Sequence, residues 1–185
     1  MKAVISSTYD NRYLYFIPIC VWAWNKLGVD VICFMPKFVY YEKGQDGLDV
    51  AKRIKLVEDT VMNHCSSKSN MLAYFEAPEH KEATYAQCSR LYGACLDLPE
   101  DEVLITSDID MAVFKNIFTP NVHGNYLTVI GNDLVPVGQY PICYCYGTVK
   151  AWRECMDVSG KSYQQCLDDL LGDIECESFR GNYWG

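Results

Sequence analysis

The sequence predicts one α/β domain over residues 1–185, with a mostly parallel central sheet flanked by helices. Short apolar segments at 31–35, 71–75 and 103–105 are strand candidates, and the one at 31–35 is continuously apolar, as in a strand that is buried on both faces. Longer segments with helical character alternate with them, and such alternation favours parallel strands joined by helical crossovers. A chain of 185 residues, half of them hydrophobic, is long enough to bury such a core.

The predicted elements of the first half alternate in type along the chain. In order they are a strand at 2–7, a helix at 13–27, a strand at 31–35, a loop at 37–47, a helix at 48–65, a strand at 71–75, a helix at 81–98, and a strand from 103. The second half is less regular, with strands expected at 126–130 and 142–147 and helices at 148–156 and 162–171.

The composition excludes several classes of protein. The net charge is −8 with no basic cluster, which argues against a nucleic-acid partner. The ten cysteines include no Cys-x-x-Cys pair, so they predict reduced, mostly buried thiols and no zinc site, with a disulfide framework as the alternative. We expect no membrane span, because the apolar stretch at 13–24 is short and Pro18 interrupts it. The start of the sequence does not resemble a signal peptide, which predicts a cytoplasmic protein.

An acidic pair, Asp108 and Asp110, follows the apolar strand that begins at residue 103. Residues i and i+2 of a strand point the same way, so the two carboxylates are expected to project together. Two carboxylates at so short a distance repel each other unless a positive charge lies between them. A hard divalent cation, which prefers oxygen ligands, supplies that charge. The alternative is a strand end whose acids cap the next turn.

The polar residues 8–12 also follow a predicted strand. In parallel sheets ligands bind beyond the carboxyl ends of the strands. This polar cluster and the acidic pair are therefore expected to meet at one edge of the sheet.

The order of these elements resembles the GT-A type of nucleotide-sugar glycosyltransferase. The resemblance rests on three βα units followed by the acidic motif Ser107-Asp108-Ile109-Asp110, then an irregular half. The strand start Ile5-Ser6-Ser7-Thr8-Tyr9, the Tyr146-Gly147 turn and the acidic helix around Asp168-Asp169 add to it. The chain is also similar to the small glycosyltransferases that large algal DNA viruses of the chlorovirus type use to glycosylate their capsid protein.

This resemblance implies a single GT-A domain, with residues 1–114 binding the nucleotide sugar and residues 115–185 binding the acceptor. The implied activity is metal-dependent transfer of a sugar from a UDP- or GDP-sugar to a glycan or glycoprotein acceptor. A viral relative would act on a capsid glycan in the host cytoplasm. The chain is shorter than most GT-A domains, and His123, which follows the motif, is expected in a turn rather than as a metal ligand.

The resemblance also suggests roles for individual residues at the donor site. A Mn²⁺ or Mg²⁺ ion is expected on Asp110, with Asp108 binding the metal or the ribose hydroxyls. The expected contacts to base, ribose and phosphate come from the polar loop: Thr8, Tyr9, Asp10 and Arg12. An ordinary polar loop is the alternative for that set. Arg90 is a further candidate for the diphosphate or sugar, with a solvated helix face as its alternative.

An inverting transferase needs a general base that takes the proton of the acceptor hydroxyl. The candidates are Asp133, Asp168 and Asp169, and the Asp168-Asp169 pair is favoured because it lies in the half expected to bind the acceptor. The alternative for each of them is an acid on a solvated surface.

Two other functions remain open. Phosphatases of the haloacid-dehalogenase type also place Asp-x-Asp after an apolar strand and use the first Asp as nucleophile. These phosphatases usually carry the motif near the N-terminus, however. Here only about 75 residues follow Asp110, which leaves little room for their remaining motifs. A non-catalytic module that binds a nucleotide sugar would share the same metal site.

Overall fold

The computed structural model describes residues 1–37, 44–65, 67–78, 81–111, 113–115, 126–130, 142–158 and 160–172. The elements are β1 (Lys2–Ser6), α1 (Asn11–Leu14), α2 (Phe16–Lys26), β2 (Asp30–Pro36), α3 (Gly44–His64), β3 (Met71–Phe75), α4 (Glu82–Ser89), a 3-10 helix (Arg90–Cys95), β4 (Val103–Thr106), β5 (Thr128–Val129), β6 (Cys145–Thr148), α5 (Val149–Cys155) and α6 (Tyr163–Leu171). The predicted α/β class is confirmed.

Six strands form one mixed sheet in the order β3-β2-β1-β4-β6-β5. β1 pairs in parallel with β2 and with β4, and β2 pairs in parallel with β3. β6 runs antiparallel to both β4 and β5. The predicted parallel sheet is therefore confirmed for the first four strands, and the second half of the chain adds an antiparallel edge.

The strand order reverses beside β1. The chain moves outward from β1 to β2 and β3, and then returns to place β4 on the other side of β1. In α/β sheets a crevice commonly opens at such a reversal, at the carboxyl ends of the two neighbouring parallel strands.

Two apolar cores cover the two faces of the sheet. Alternate residues of β1 divide between them: Ala3 and Ile5 pack with α2 and α3, and Val4 packs on the opposite face. The α2–α3 side buries Ile17, Val21, Trp24, Ile54, Val57 and Val61. The opposite side buries Tyr85, Ala86, Val149, Trp152, Cys166 and Leu167, from α4, α5 and α6. The molecule thus has helices on both faces of the sheet.

Several predicted boundaries are wrong. The helix expected at 13–27 is divided at Tyr15 into α1 and α2, and α3 begins at Gly44, inside the expected loop. The helix expected at 81–98 ends as α4 at Ser89 and continues as the 3-10 helix. β6 begins only at Cys145, because Tyr144 adopts a left-handed conformation (φ 62°) that ends the extended run.

Within the described ranges, no helix has both the length and the apolar composition needed to cross a bilayer.

The nine cysteines of the described ranges are free, and all except Cys155 are at least partly buried. Cys176 lies outside the described residues.

Candidate functional site

A cavity of about 480 Å³ opens at the carboxyl ends of β1 and β4. It therefore lies at the reversal of strand order. Its walls come from the end of β1 with the loop and helix that follow, from one side of α4, and from the segment after β4. The lining residues are Ser6, Ser7, Thr8, Asp10, Arg12, Tyr13, Ala83, Ala86, Gln87, Arg90, Asp108, Ile109 and Asp110.

The segment that carries the acids is held in place by the neighbouring strands. The backbone N–H of Ser107 donates to the carbonyl of Val4 in β1 at 3.0 Å, and that of Tyr144 donates to the carbonyl of Thr106 at 2.7 Å. β4 ends at Thr106, so the two acids lie in the turn beyond the strand. Ile109, buried between them, anchors this turn in the core on the α2 side.

Asp108 and Asp110 line the same cavity, as expected, although the conformation that brings them together is a turn rather than a continued strand. The prediction that the two carboxylates lie together is therefore correct, but the reason given for it, alternation along an extended strand, is wrong.

Arg90 forms an ion pair with Asp108 through its Nη1. The arginine side chain is only 6% exposed, whereas that of Asp108 is 34% exposed. The Nε of Arg90 also donates to the carbonyl of Gln87 at 3.3 Å, which fixes the direction of the guanidinium. The solvated helix face considered for Arg90 is therefore wrong: the cation is buried against the cavity, at the start of the 3-10 helix.

Asp110 has a different environment. Its side chain is exposed, and no hydrogen bond or ion pair to it occurs in the part of the chain that the structure describes. Its negative charge still acts on its surroundings: burial, and secondarily the charge of Asp110, raise the pKa of the Cys20 thiol to about 12. Asp110 is thus the carboxylate of this cavity that has no hydrogen-bond or ion-pair partner among the described residues.

The loop after β1 is organised by Asp10. Its carboxylate caps α1 by accepting the backbone N–H of Arg12 at 2.8 Å, and it also accepts the Nε and Nη2 of the same residue at 3.1 and 2.9 Å. The side-chain hydrogen bond from Arg12, followed by the backbone one, lowers the pKa of Asp10 to about 2. The hydroxyl of Thr8 accepts the backbone N–H of Asp10 at 3.3 Å.

Some predicted residues do not line the cavity. Tyr9 is half-buried and packs against the core on the α2 side. Asp168 accepts hydrogen bonds from Tyr85 Oη at 3.1 Å and Gln164 Nε2 at 3.0 Å. Tyr85 lies on the side of α4 that faces away from the cavity. Asp168 of α6, which binds Tyr85, therefore also lies away from the cavity. Asp169 is paired with Lys161 at 2.7 Å on the surface.

The remaining candidate base, Asp133, lies outside the described residues, as does His123. The geometry therefore brings together Thr8, Asp10, Arg12, Arg90, Asp108 and Asp110, and it does not bring the acids of α6 to them.

Sequence reasoning missed the contribution of α4. Ala83, Ala86 and Gln87 share the cavity side of this helix with Arg90. Their spacing of three, four and seven residues is a helical signal that was available in the sequence. Cys143 was also missed. Burial, and next the negative charge of Asp108, raise the pKa of its thiol, which places it beside the acidic turn.

The donor set fits a hard divalent cation only in part. Within the described residues, no group of three or more His, Cys, Asp or Glu side chains is placed to hold a metal ion. Asp108 and Asp110 together offer two carboxylates. Mg²⁺ is commonly held by one or two carboxylates, with substrate phosphates and water completing the shell, so these residues suit a metal that arrives with a phosphorylated ligand.

Comparison of the chain with protein families, with curated proteins and with solved structures finds no match.

Proposed function

We propose that the protein is a metal-dependent glycosyltransferase that uses a nucleotide-diphosphate sugar, of UDP or GDP, and a glycan or glycoprotein acceptor. The observation that carries the proposal is the cavity at the β1–β4 reversal, which contains both acids of the Asp-x-Asp segment and polar residues of the first loop. Crevices at such a reversal are the usual place for nucleotides in α/β sheets. The resemblance of the element order to GT-A enzymes adds the class of reaction.

In this proposal Mn²⁺ or Mg²⁺ binds to Asp110 and to the carboxylate oxygen of Asp108 that does not pair with Arg90. When bound there, the ion neutralises the charge that develops on the departing diphosphate. Asp110 suits the direct ligand because its carboxylate is exposed. Arg90 orients Asp108 and balances its charge through the ion pair between them.

The loop after β1 supplies the remaining contacts to the donor. Thr8 and Arg12 line the same cavity as the acids, where hydroxyl and guanidinium donors suit ribose and phosphate oxygens. Asp10 is a poor general base at neutral pH, because Arg12 holds its pKa at about 2. In the transfer step the acceptor hydroxyl oxygen bonds to the anomeric carbon, the bond from that carbon to the diphosphate oxygen breaks with its electron pair going to the diphosphate, and the hydroxyl proton passes to water.

The experiment is a thermal-shift and calorimetric screen of UDP- and GDP-sugars with and without Mn²⁺, followed by an assay for release of the nucleoside diphosphate. We expect binding that requires Mn²⁺. Asp110→Ala should weaken it by at least about tenfold, since losing even an outer-shell partner of a metal costs that much. Asp101→Ala is the matched control, because it removes an exposed acid from the turn before β4, outside the cavity.

Three outcomes would contradict the proposal. Equal binding by wild type and Asp110→Ala would remove the metal assignment. Mn²⁺-dependent binding without transfer or hydrolysis of any donor would favour the non-catalytic binding module. Hydrolysis of a phosphomonoester that Asp108→Asn abolishes would favour the phosphatase of the haloacid-dehalogenase type.

A further inference from the structure

The outer side of α2 exposes large apolar residues. Tyr15, Ile19, Trp22 and Lys26 recur at intervals of four, three and four residues, so they lie along one side of the helix. Ile19 is 57% exposed and Trp22 is 51% exposed, and Phe16 lies beside this row. The opposite side of α2 is buried in the core through Ile17, Val21 and Trp24. α2 therefore carries apolar residues toward the solvent as well as toward the sheet.

The size of this patch is informative. An aromatic side chain has about 150–250 Å² of surface, so Tyr15, Phe16, Ile19 and Trp22 together expose roughly 400 Å² at their observed fractions. A contiguous apolar patch of this size matches the largest patch of a typical soluble monomer, and such patches are often functional. The area is about half of the ~800 Å² that each partner contributes to a standard protein interface, so the patch is small for a stable dimer.

The same segment carries no acidic residue. No Asp or Glu occurs from residue 11 to residue 29, although the chain contains 24 acids and has a net charge of −8. Lys26 lies with its Nζ 5.4 Å from the ring centroid of Trp22. At the other end Arg12 lies 5.9 Å from the ring centroid of Tyr13, and its charge is balanced by Asp10. Lys26 therefore gives this side a net positive charge.

We propose that the outer side of α2, defined by Tyr15, Phe16, Ile19, Trp22 and Lys26, docks on the surface of a phospholipid bilayer. Tyrosine and tryptophan favour the headgroup region, where a ring is buried and its polar atom stays hydrated. A lipid surface accepts an irregular apolar patch without the matched shape that a protein partner needs, and the lysine faces lipid phosphate. Arg12 and Tyr13 line the cavity and precede this side of α2 directly, so docking brings the cavity toward the headgroups.

The test is co-sedimentation of the full chain with vesicles of phosphatidylcholine, alone or mixed with phosphatidylserine. The wild type should sediment with both and more strongly with the anionic mixture. The double variant Ile19→Ser, Trp22→Ser should lower the partition coefficient by at least about tenfold, because it removes most of the aliphatic and indole surface that enters the lipid. Lys26→Gln should lower binding to the anionic vesicles by about fivefold and leave phosphatidylcholine binding unchanged.

Leu170→Ser is the matched control. Leu170 is an exposed apolar residue of α6, which packs on the opposite face of the sheet, so its replacement should leave vesicle binding intact. Circular dichroism of each variant verifies the fold. A spectroscopic readout comes from brominated lipid, which should quench a fluorescence component that Trp22→Phe removes.

Other occupants of this side would overturn the proposal. A wild-type dimer in solution that becomes monomeric in the double variant would assign the face to a second copy of the chain. If acrylamide cannot quench the Trp22 component without vesicles, the face is already covered. Failure to sediment with either vesicle, or loss of binding in Leu170→Ser equal to that in the double variant, would also contradict it.

Discussion

Three carboxylates around the cavity have three different electrostatic environments. Asp10 is on the surface, with its charge balanced by Arg12 of its own helix. Asp108 is balanced by the buried Arg90, which comes from the 3-10 helix on the other side of the cavity. Asp110 is exposed and has neither kind of counter-ion within the described residues. This arrangement leaves Asp110 as the carboxylate whose charge is available to a ligand.

The Asp10–Arg12 contact makes a prediction about pH. The folded-state pKa of Asp10, about 2, is below its ordinary value of 3.8. Ionised Asp10 therefore stabilises the folded state above about pH 4, and this contribution is lost as the pH falls toward 2. A ¹³C NMR titration of the Asp10 carboxyl carbon should give a midpoint near 2. In Arg12→Gln the midpoint should rise toward 3.8 and remain below it, because the backbone hydrogen bond of residue 12 persists.

Lys26→Gln is the control for this titration, since it removes a cation of α2 that makes no ion pair with Asp10. An unchanged Asp10 midpoint in Arg12→Gln would show that the backbone hydrogen bond alone lowers the pKa.

The sequence predicted part of the site at the level of single residues. Thr8, Asp10, Arg12, Asp108 and Asp110 were found because polar residues that directly follow buried strands must gather at one edge of a parallel sheet. The burial of Arg90 was not predictable in the same way, because it depends on how closely the 3-10 helix approaches β1 and β4. The candidate bases of α6 were chosen from their position in the chain alone, and that position does not report which side of α4 they reach.

At the scale of elements, the first four strands were recognised because each is a short apolar run between turn residues, and burial on both faces requires that pattern. The direction of β6 was not encoded in such a run, because an apolar segment is equally compatible with parallel and antiparallel pairing. Ser162 and Gln165 form a capping box at the start of α6, within one residue of the predicted boundary.

The close approach of the 3-10 helix to the sheet makes a second prediction. A Cβ added at Gly93 would lie 3.1 and 3.2 Å from the two methyl carbons of Val4 and 3.6 Å from Cδ1 of Leu104. Gly93→Ala should lower the free energy of unfolding by about 1–3 kcal/mol through overpacking. Val4→Ala should lower it by about 2 kcal/mol through the lost methyl groups and the cavity left behind.

The double variant is the informative one. Because Val4→Ala makes room for the new methyl group at position 93, the combined loss should be smaller than the sum of the two single losses by at least about 0.5 kcal/mol in urea denaturation. Additive losses would mean that Val4 and Gly93 do not share the contact that positions the 3-10 helix and Arg90.

At the scale of the whole molecule, a single sheet joins the two halves of the chain. β5 and β6 come from the part expected to bind an acceptor, and they continue the sheet that begins in the part expected to bind the nucleotide sugar. Both faces of this sheet are covered by helices, and β1, β2 and β4 between them are almost entirely buried. The cavity is open at one end of these layers, so its walls depend on both cores remaining packed.

Thiol labelling tests whether the two cores unfold together, as the single-domain prediction requires. Burial raises the pKa of Cys20 to about 12 and raises that of Cys33 as well, so both thiols stay protonated and unreactive in the folded state. Cys155 is exposed at the end of α5.

In a Cys176→Ser background, iodoacetamide at pH 8 should modify Cys155 rapidly in native protein. Cys20 and Cys33, on the α2 side, and Cys166, on the opposite side, should all become reactive at the urea concentration where circular dichroism changes, as followed by mass spectrometry. Labelling of Cys20 and Cys33 at a lower urea concentration, with Cys166 still protected, would mean that the α2–α3 layer detaches first, and the cavity would then lose its first loop before the fold is lost.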